Sequence, residues 1–155
     1  MTDYHIREAT LDDMDVLVRH RLAMFAEMGR AFDAVLVAQL FRDWLRPMML
    51  ADDYRAWLCE TDAREVAGGA GLSLIKWPPG PSPLASDRVA FVYNVYTEHP
   101  HRRRGVARRL METLQSWCAD RGIGAIALNA SSEAQPLYES MGYQVAASPM
   151  MWKIT

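Results

Sequence analysis

The sequence predicts an α/β (α+β) domain built on a mixed β-sheet. Three observations carry this reading. Apolar residues switch along the chain between the 3.6-residue period of helices and the alternating or continuous patterns of strands. The elements then run strand, two helices, three strands, helix, strand, helix, strands. Finally, 155 residues suit one domain, residues 1–155, that buries a sizeable core without a disulfide or metal staple. Half the residues are hydrophobic and 23% are charged, which excludes disorder and collagen-like repeats.

Each element has a local signal. Tyr4 to Ala9 alternates polar and apolar residues, as a first strand does. Thr10-Leu11-Asp12-Asp13 supplies a capping hydroxyl and early acids, which start a helix. Leu17, Leu22, Phe25 and Met28 continue that helix to Gly29, a C-cap. A second helix is expected from about Asp33 to Leu50, with Leu36, Leu40, Trp44 and Met48 on one stripe and Pro47 marking a kink or earlier stop. Tyr54 to Glu60 and Val66 to Trp77 read as strands joined by a turn at Thr61–Glu65. Pro78-Pro79-Gly80-Pro81-Ser82-Pro83 excludes helix and central strand, so it is a stiff surface loop. Val89 to Tyr96 is apolar almost throughout, the pattern of a strand buried on both faces. A helix carrying Val106, Leu110, Leu114, Trp117 and Cys118 inward ends at Gly122 and Gly124. Ile123 to Asn129 forms a further buried strand, and a short helix with Ala134, Leu137, Tyr138 and Met141 ends at Gly142. Val145 and Met150 to Ile154 read as final strands, which could pair two subunits into a homodimer.

Formal net charge is −2, which argues against a polyanion binder and hence against nucleic acid as a partner. The two cysteines, Cys59 and Cys118, form no CxxC motif and sit in apolar surroundings, consistent with buried thiols in a reducing compartment. Met1 to Thr10 is polar rather than a signal peptide, and no apolar run approaches the roughly 18 residues of a membrane span. The expectation is a cytoplasmic protein with no membrane partner. His99-x-His101 is a weak metal pair, because a turn bearing two ligands lacks a third, so no metal is expected.

One local asymmetry stands against the near-neutral total: five arginines between Arg102 and Arg109. They surround the segment Val95-Tyr96-Thr97-Glu98-His99-Pro100-His101-Arg102-Arg103-Arg104-Gly105-Val106-Ala107, a buried strand, a polar turn and a helix start. The start of a helix presents unpaired N–H groups and the positive end of the dipole. Gly105 and Ala107 let a ligand approach that backbone closely, and guanidinium groups match phosphate. A phosphate-bearing ligand follows from the local chemistry. GxxxxGK[ST] and GxGxxG are both absent, so the loop is neither a P-loop nor a dinucleotide fingerprint.

Arg102-x-x-Gly105-x-Ala107 resembles the [RQ]-x-x-G-x-[GA] pyrophosphate loop of the GCN5-related N-acetyltransferases (GNAT). Ala134-x-x-Leu137-Tyr138-Glu139-x-x-Gly142-Tyr143 resembles their second signature, in the family's order and at its usual separation. The resemblance covers nearly the whole chain and thins over Met24 to Leu50. It implies a mostly antiparallel central sheet, splayed at the cofactor site and flanked by about four helices. The cosubstrate it implies is acetyl-CoA. Carried over residue by residue, the pantetheine arm would lie along Val95, Tyr96 and Thr97. The pyrophosphate would rest on the N–H groups of Arg103, Arg104, Gly105, Val106 and Ala107, with Arg108 just beyond and Arg102 in the first position of the pattern. The family's tyrosine near the CoA sulfur falls on Tyr138, and a family asparagine seven residues earlier is replaced by Ser131.

The implied reaction is direct acetyl transfer to a primary amine of a small molecule or peptide. A backbone N–H near Val95 would polarise the thioester carbonyl. Tyr138 suits a proton or hydrogen-bond donor to the leaving thiolate, since a phenol keeps its proton at neutral pH. The family glutamate that serves as base in one branch falls on Phe91, which leaves Tyr93 and Glu98 as candidate bases. Glu27 and Asp33 flank the turn where the acceptor site would open, and the Met- and Trp-rich helix there suggests a partly apolar acceptor. A CoA-binding module or sensor without catalysis is the alternative function, and RNA binding through the arginines the third.

Overall fold

The computed structural model describes residues 2–81, 86–147 and 151–155. Strands β1 (Tyr4–Glu8), β2 (Tyr54–Thr61), β3 (Val66–Lys76), β4 (Arg88–Thr97) and β5 (Ile126–Leu128) form one sheet in the order β1-β2-β3-β4-β5. The first three pairings are antiparallel, and β4–β5 is parallel. Four helices flank the sheet: α1 (Met14–Glu27), α2 (Ala34–Leu50), α3 (Val106–Asp120) and α4 (Gln135–Ser140). The mixed, mostly antiparallel sheet with four helices is the architecture anticipated from the element order.

Two apolar clusters fill the two faces. On one face α3 packs Val106, Leu110, Met111, Leu114 and Cys118 against Trp57, Cys59, Leu72 and Val92. On the other, Leu17 and Val18 of α1 and Phe41 and Leu45 of α2 pack on Tyr54, Ala56 and Leu58. The alternation of β2 divides its side chains between these clusters. Leu110 is fully buried at the centre of the first. Leu110→Ala is expected to destabilise the fold by about 3 kcal/mol, read from the shift in a urea unfolding midpoint.

The helix starts follow local chemistry. Thr10 and Asp13 form the reciprocal capping box that begins a short 3-10 turn before α1, and Asp33 accepts from the Leu36 N–H to cap α2. Gly29, at φ +69°, ends α1 as its C-cap signal predicts.

Four expectations change. Pro47 lies inside α2 and does not end it. Leu36, Leu40 and Trp44 face outward, 53%, 58% and 40% exposed, because the sheet takes Phe41 and Leu45 instead. Helix period alone could not choose between two apolar stripes on one helix. Beyond Ser140 no strand forms among the described residues, so Val145 and Met151 to Ile154 are not the expected final strands; Met150 lies outside the described residues. Met151, Trp152 and Ile154 are almost fully exposed and pair with no strand among the described residues. The buried strand expected over Ile123–Asn129 shortens to three residues. The proline-rich loop is pinned at its neck by the Trp77 N–H donating to the Asp87 carbonyl (2.8 Å), and its residues 82–85 lie outside the described residues.

Strand β4 positions the site. β5 pairs with it only along Ala90, Phe91 and Val92, so among the described residues β4 runs without a neighbouring strand on that side from Tyr93 onward. Opposite, β3 pairs Gly71 with Tyr93 and Gly69 with Tyr96. Asn94 and Val95 therefore share the space facing the single residue Ala70, which is a β-bulge. Asn94 adopts φ +57°, a left-handed conformation uncommon outside glycine. Close approach is required beneath it: a Cβ on Gly68 would lie 2.6 Å from the Tyr96 carbonyl oxygen and 2.9 Å from Val106 Cγ1. Glycine at that position lets β4 and the first turn of α3 sit directly on β3.

Candidate active site

The gap between β4 and β5 opens into a cleft of about 580 Å³. Its walls come from the end of α1 (Met24, Glu27, Met28), the bulged half of β4, the start of α3 and the segment from Leu128 to Tyr138. The bulge and the short β5 together produce this opening, since a continuous β4–β5 ladder would close it.

The sequence-predicted residues divide by distance from the cleft. Val95, Tyr96, Thr97, Arg102, Arg103, Val106, Ala107, Ser131 and Tyr138 all line it. Gly105 stands beside it as the N-cap of α3, at φ +80° and without a side-chain cap. The first N–H groups of α3 consequently face the cleft end with no side chain to satisfy them. Arg104 is exposed outside the lining, and Arg108 Nη2 donates to Ser140 Oγ at 2.7 Å, tying α3 to α4.

Arg102 has a different environment from its arginine neighbours. Its Nε donates to the Thr97 carbonyl (3.0 Å), and Nη2 donates to both Glu27 carboxylate oxygens (2.7 and 2.8 Å). Tyr96 donates its hydroxyl proton to the same carboxylate (3.1 Å), and His99 Nε2 lies 3.0 Å from it. Burial pushes the Glu27 carboxyl up, but Arg102 and Tyr96 outweigh it and hold the group below its ordinary value. This network clamps the end of α1 to the end of β4 and sets the wall on which the loop stands.

Glu98 and Tyr93, the two candidate bases, do not line the cleft. The Glu98 carboxylate turns toward α1, where Arg19 donates to it and His20 Nε2 lies at 3.0 Å. Burial raises its pKa, yet Arg19 and His20 together keep it below the ordinary carboxylate range. Tyr93 packs on Phe91 with ring centroids 4.8 Å apart, and burial raises its phenol. His99 and His101 diverge: His101 is buried with Nδ1 3.0 Å from the Tyr4 hydroxyl, whereas His99 turns to Glu27. Among the described residues no group of three or more His, Cys, Asp or Glu side chains is arranged to hold a metal.

Tyr138 is 7% exposed, packed edge-on against Tyr143 at 5.7 Å, and lies on the cleft wall opposite β4. Burial raises its pKa and keeps it protonated at neutral pH. Ser131 acts locally, its Oγ accepting from the Ala134 N–H (3.2 Å) at the turn into α4. Asn129, exposed two positions earlier, also lines the cleft. Sequence reasoning missed Asn94, whose strained conformation has no motif. It also missed Asn129, for which only its place at the end of a short strand was a signal.

Known proteins share this fold. A profile of the Acetyltransferase (GNAT) family matches residues 21–143. The chain is similar to a GCN5-related N-acetyltransferase from Ralstonia eutropha JMP134, at 36% identity and TM-score 0.87 over 98% of this chain and 99% of that one. It also resembles a predicted acetyltransferase with acetyl-CoA from Clostridium acetobutylicum (21% identity, TM-score 0.88, covering 97% and 96%). A third likeness is to an aminoglycoside N-acetyltransferase in complex with CoA (17% identity, TM-score 0.73, covering 99% and 96%). Those last two likenesses concern the fold alone. No curated protein matches the chain.

Proposed function

Because the chain belongs to the acetyltransferase (GNAT) family, we propose that residues 1–155 act as one N-acetyltransferase domain, moving the acetyl group of acetyl-CoA directly onto the primary amine of a small molecule or peptide. Structures of this fold with acetyl-CoA and with CoA support the cosubstrate. The observation that supports the reading is that Tyr138, the bulge of β4 and the first turn of α3 line one cleft, with the start of α3 lacking a side-chain cap. A donor for a leaving group and a cradle for a pyrophosphate then share one cavity.

The pantetheine arm would lie along Val95, Tyr96 and Thr97, and the diphosphate on the N–H groups from Arg103 to Ala107. The Val95 N–H, in the bulge where Asn94 and Val95 share Ala70 as their one opposite residue on β3, polarises the thioester carbonyl. The neutral amine nitrogen attacks that carbon, the C–S bond breaks as Tyr138 gives its proton to the sulfur, and the proton shed by the nitrogen passes through water to restore the phenol. The Glu98 carboxylate is engaged by Arg19 and His20 and held below its ordinary range, Tyr93 is protonated at neutral pH, and neither lines the cleft. The amine therefore loses its proton to water before attack, so its own basicity sets the rate at neutral pH.

A panel of primary amines, assayed for release of the CoA thiol, tests this reading. Turnover is expected, with kcat/KM rising with pH and the rising limb moving to lower pH for a less basic amine. The Tyr138 donor has a pKa raised above its ordinary 10.0, so no falling limb is expected below about pH 10. Tight CoA binding without thiol release from any amine would instead favour a CoA-binding module.

A further inference from the structure

Helix α1 carries a guanidinium that the transfer step does not use. Arg21 is half-buried where α1, α2 and β4 meet. Its guanidinium carbon lies 4.8 Å from the Phe25 ring centroid and 4.9 Å from that of Phe41. Nη1 donates to Asn94 Oδ1 at 2.7 Å, the one hydrogen bond it makes among the described residues. An arginine has five N–H donors, so four are left over.

Its neighbours are treated differently. Arg19 has Glu98, Arg102 has Glu27, Arg7 has Asp13 and Glu60, and Arg55 has Glu8 and Asp52. Arg42 and Arg88 also reach a carboxylate, and no ion pair among the described residues includes Arg21. Burial makes the charged form of Arg21 harder to hold, with the Tyr54 and Tyr93 phenols offering only weak compensation. The two aromatic faces and the Asn94 amide oxygen steady the cation but leave its charge unneutralised. Among the described residues no carboxylate is placed to neutralise it.

Position shows where an anion would come from. Asn94, which accepts from Arg21, is itself a wall residue of the catalytic cleft and lies next to Val95, where the thioester carbonyl would sit. Met24, one turn along α1 from Arg21, lines the cleft and adds apolar surface for a small organic body. A single guanidinium neutralises one negative charge and pairs with a planar carboxylate through two parallel N–H donors. We propose that Arg21 is a subsite for a carboxylate carried by the acceptor, so the preferred acceptors are amines bearing a carboxylate. This rests on reading the cleft as an N-acetyltransferase site.

Wild-type protein saturated with CoA, titrated calorimetrically with glycine, β-alanine and phenylalanine and with their carboxamides, tests the subsite without requiring turnover. The best carboxylate is expected to bind on the order of 100-fold more tightly than its carboxamide. Arg21→Gln keeps a donor for Asn94 but removes the charge, and is expected to bring that ratio to within about threefold of one. Arg21→Lys, the second variant, retains the charge without the fork and is expected to give an intermediate ratio. Equal binding of acid and amide by the wild type overturns the proposal, as does a preference that survives in Arg21→Gln. Thiol release measured on the same compounds reports separately on the transferase reading, so the two failures are distinguishable.

Discussion

Tyr138→Phe is expected to lower kcat by about 100-fold while changing the dissociation constant of CoA by less than about threefold. The substitution removes one oxygen from a ring that is 7% exposed and keeps the packing against Tyr143. A donor that engages only as charge develops on the leaving sulfur contributes to the transition state and not to ground-state binding. Stopped assays of thiol release, set beside calorimetric titration with CoA, separate the two quantities. An unchanged kcat would remove Tyr138 from the chemistry and leave it as a wall residue.

Ala107→Glu is expected to weaken CoA binding by about 100-fold, because a carboxylate would stand where a diphosphate must lie. Ala107 lines the cleft in the first turn of α3, one residue past buried Val106. The same charge suits the positive end of the helix, so the unfolding free energy is expected to stay level or rise by about 0.5 kcal/mol. Opposite signs for affinity and stability make the result diagnostic. Loss of both together would mean a disturbed fold, and retention of both would place the diphosphate elsewhere. Competition by sodium chloride offers a second check, since an exposed ionic site weakens with salt.

The two residues differ in how easily they could be found. Ala107 and Gly105 sit in a run of consecutive residues whose chemistry is complete in itself: small side chains, a helix start, arginines. Tyr138 was reachable because its flanking Leu137, Glu139 and Gly142 repeat a familiar spacing. By contrast, Arg102 matched its motif but acts through Glu27, 75 positions earlier, as a clamp on the cleft wall. Glu98 looked like a base because it ends the strand next to the loop. Only packing revealed that its carboxylate turns away to Arg19 and His20.

Element type and order were legible along the chain, since period, caps and glycines act over a few residues. The face each helix buries was less so, as α2 shows by hiding Phe41 and Leu45 and exposing Leu36 and Leu40. The tail illustrates the same limit: its apolar, strand-like composition sets a preference and not a pairing, and among the described residues it forms no strand. Local composition thus determined the sheet-and-helix plan, the glycine-led start of α3 and the tyrosine on the cleft wall. The bulge at Asn94, the parting of β4 from β5, the Glu27–Arg102 clamp and the half-buried Arg21 were decided by tertiary packing. Each joins residues far apart in sequence, and their energies exist only once the intervening chain has folded to bring them into contact.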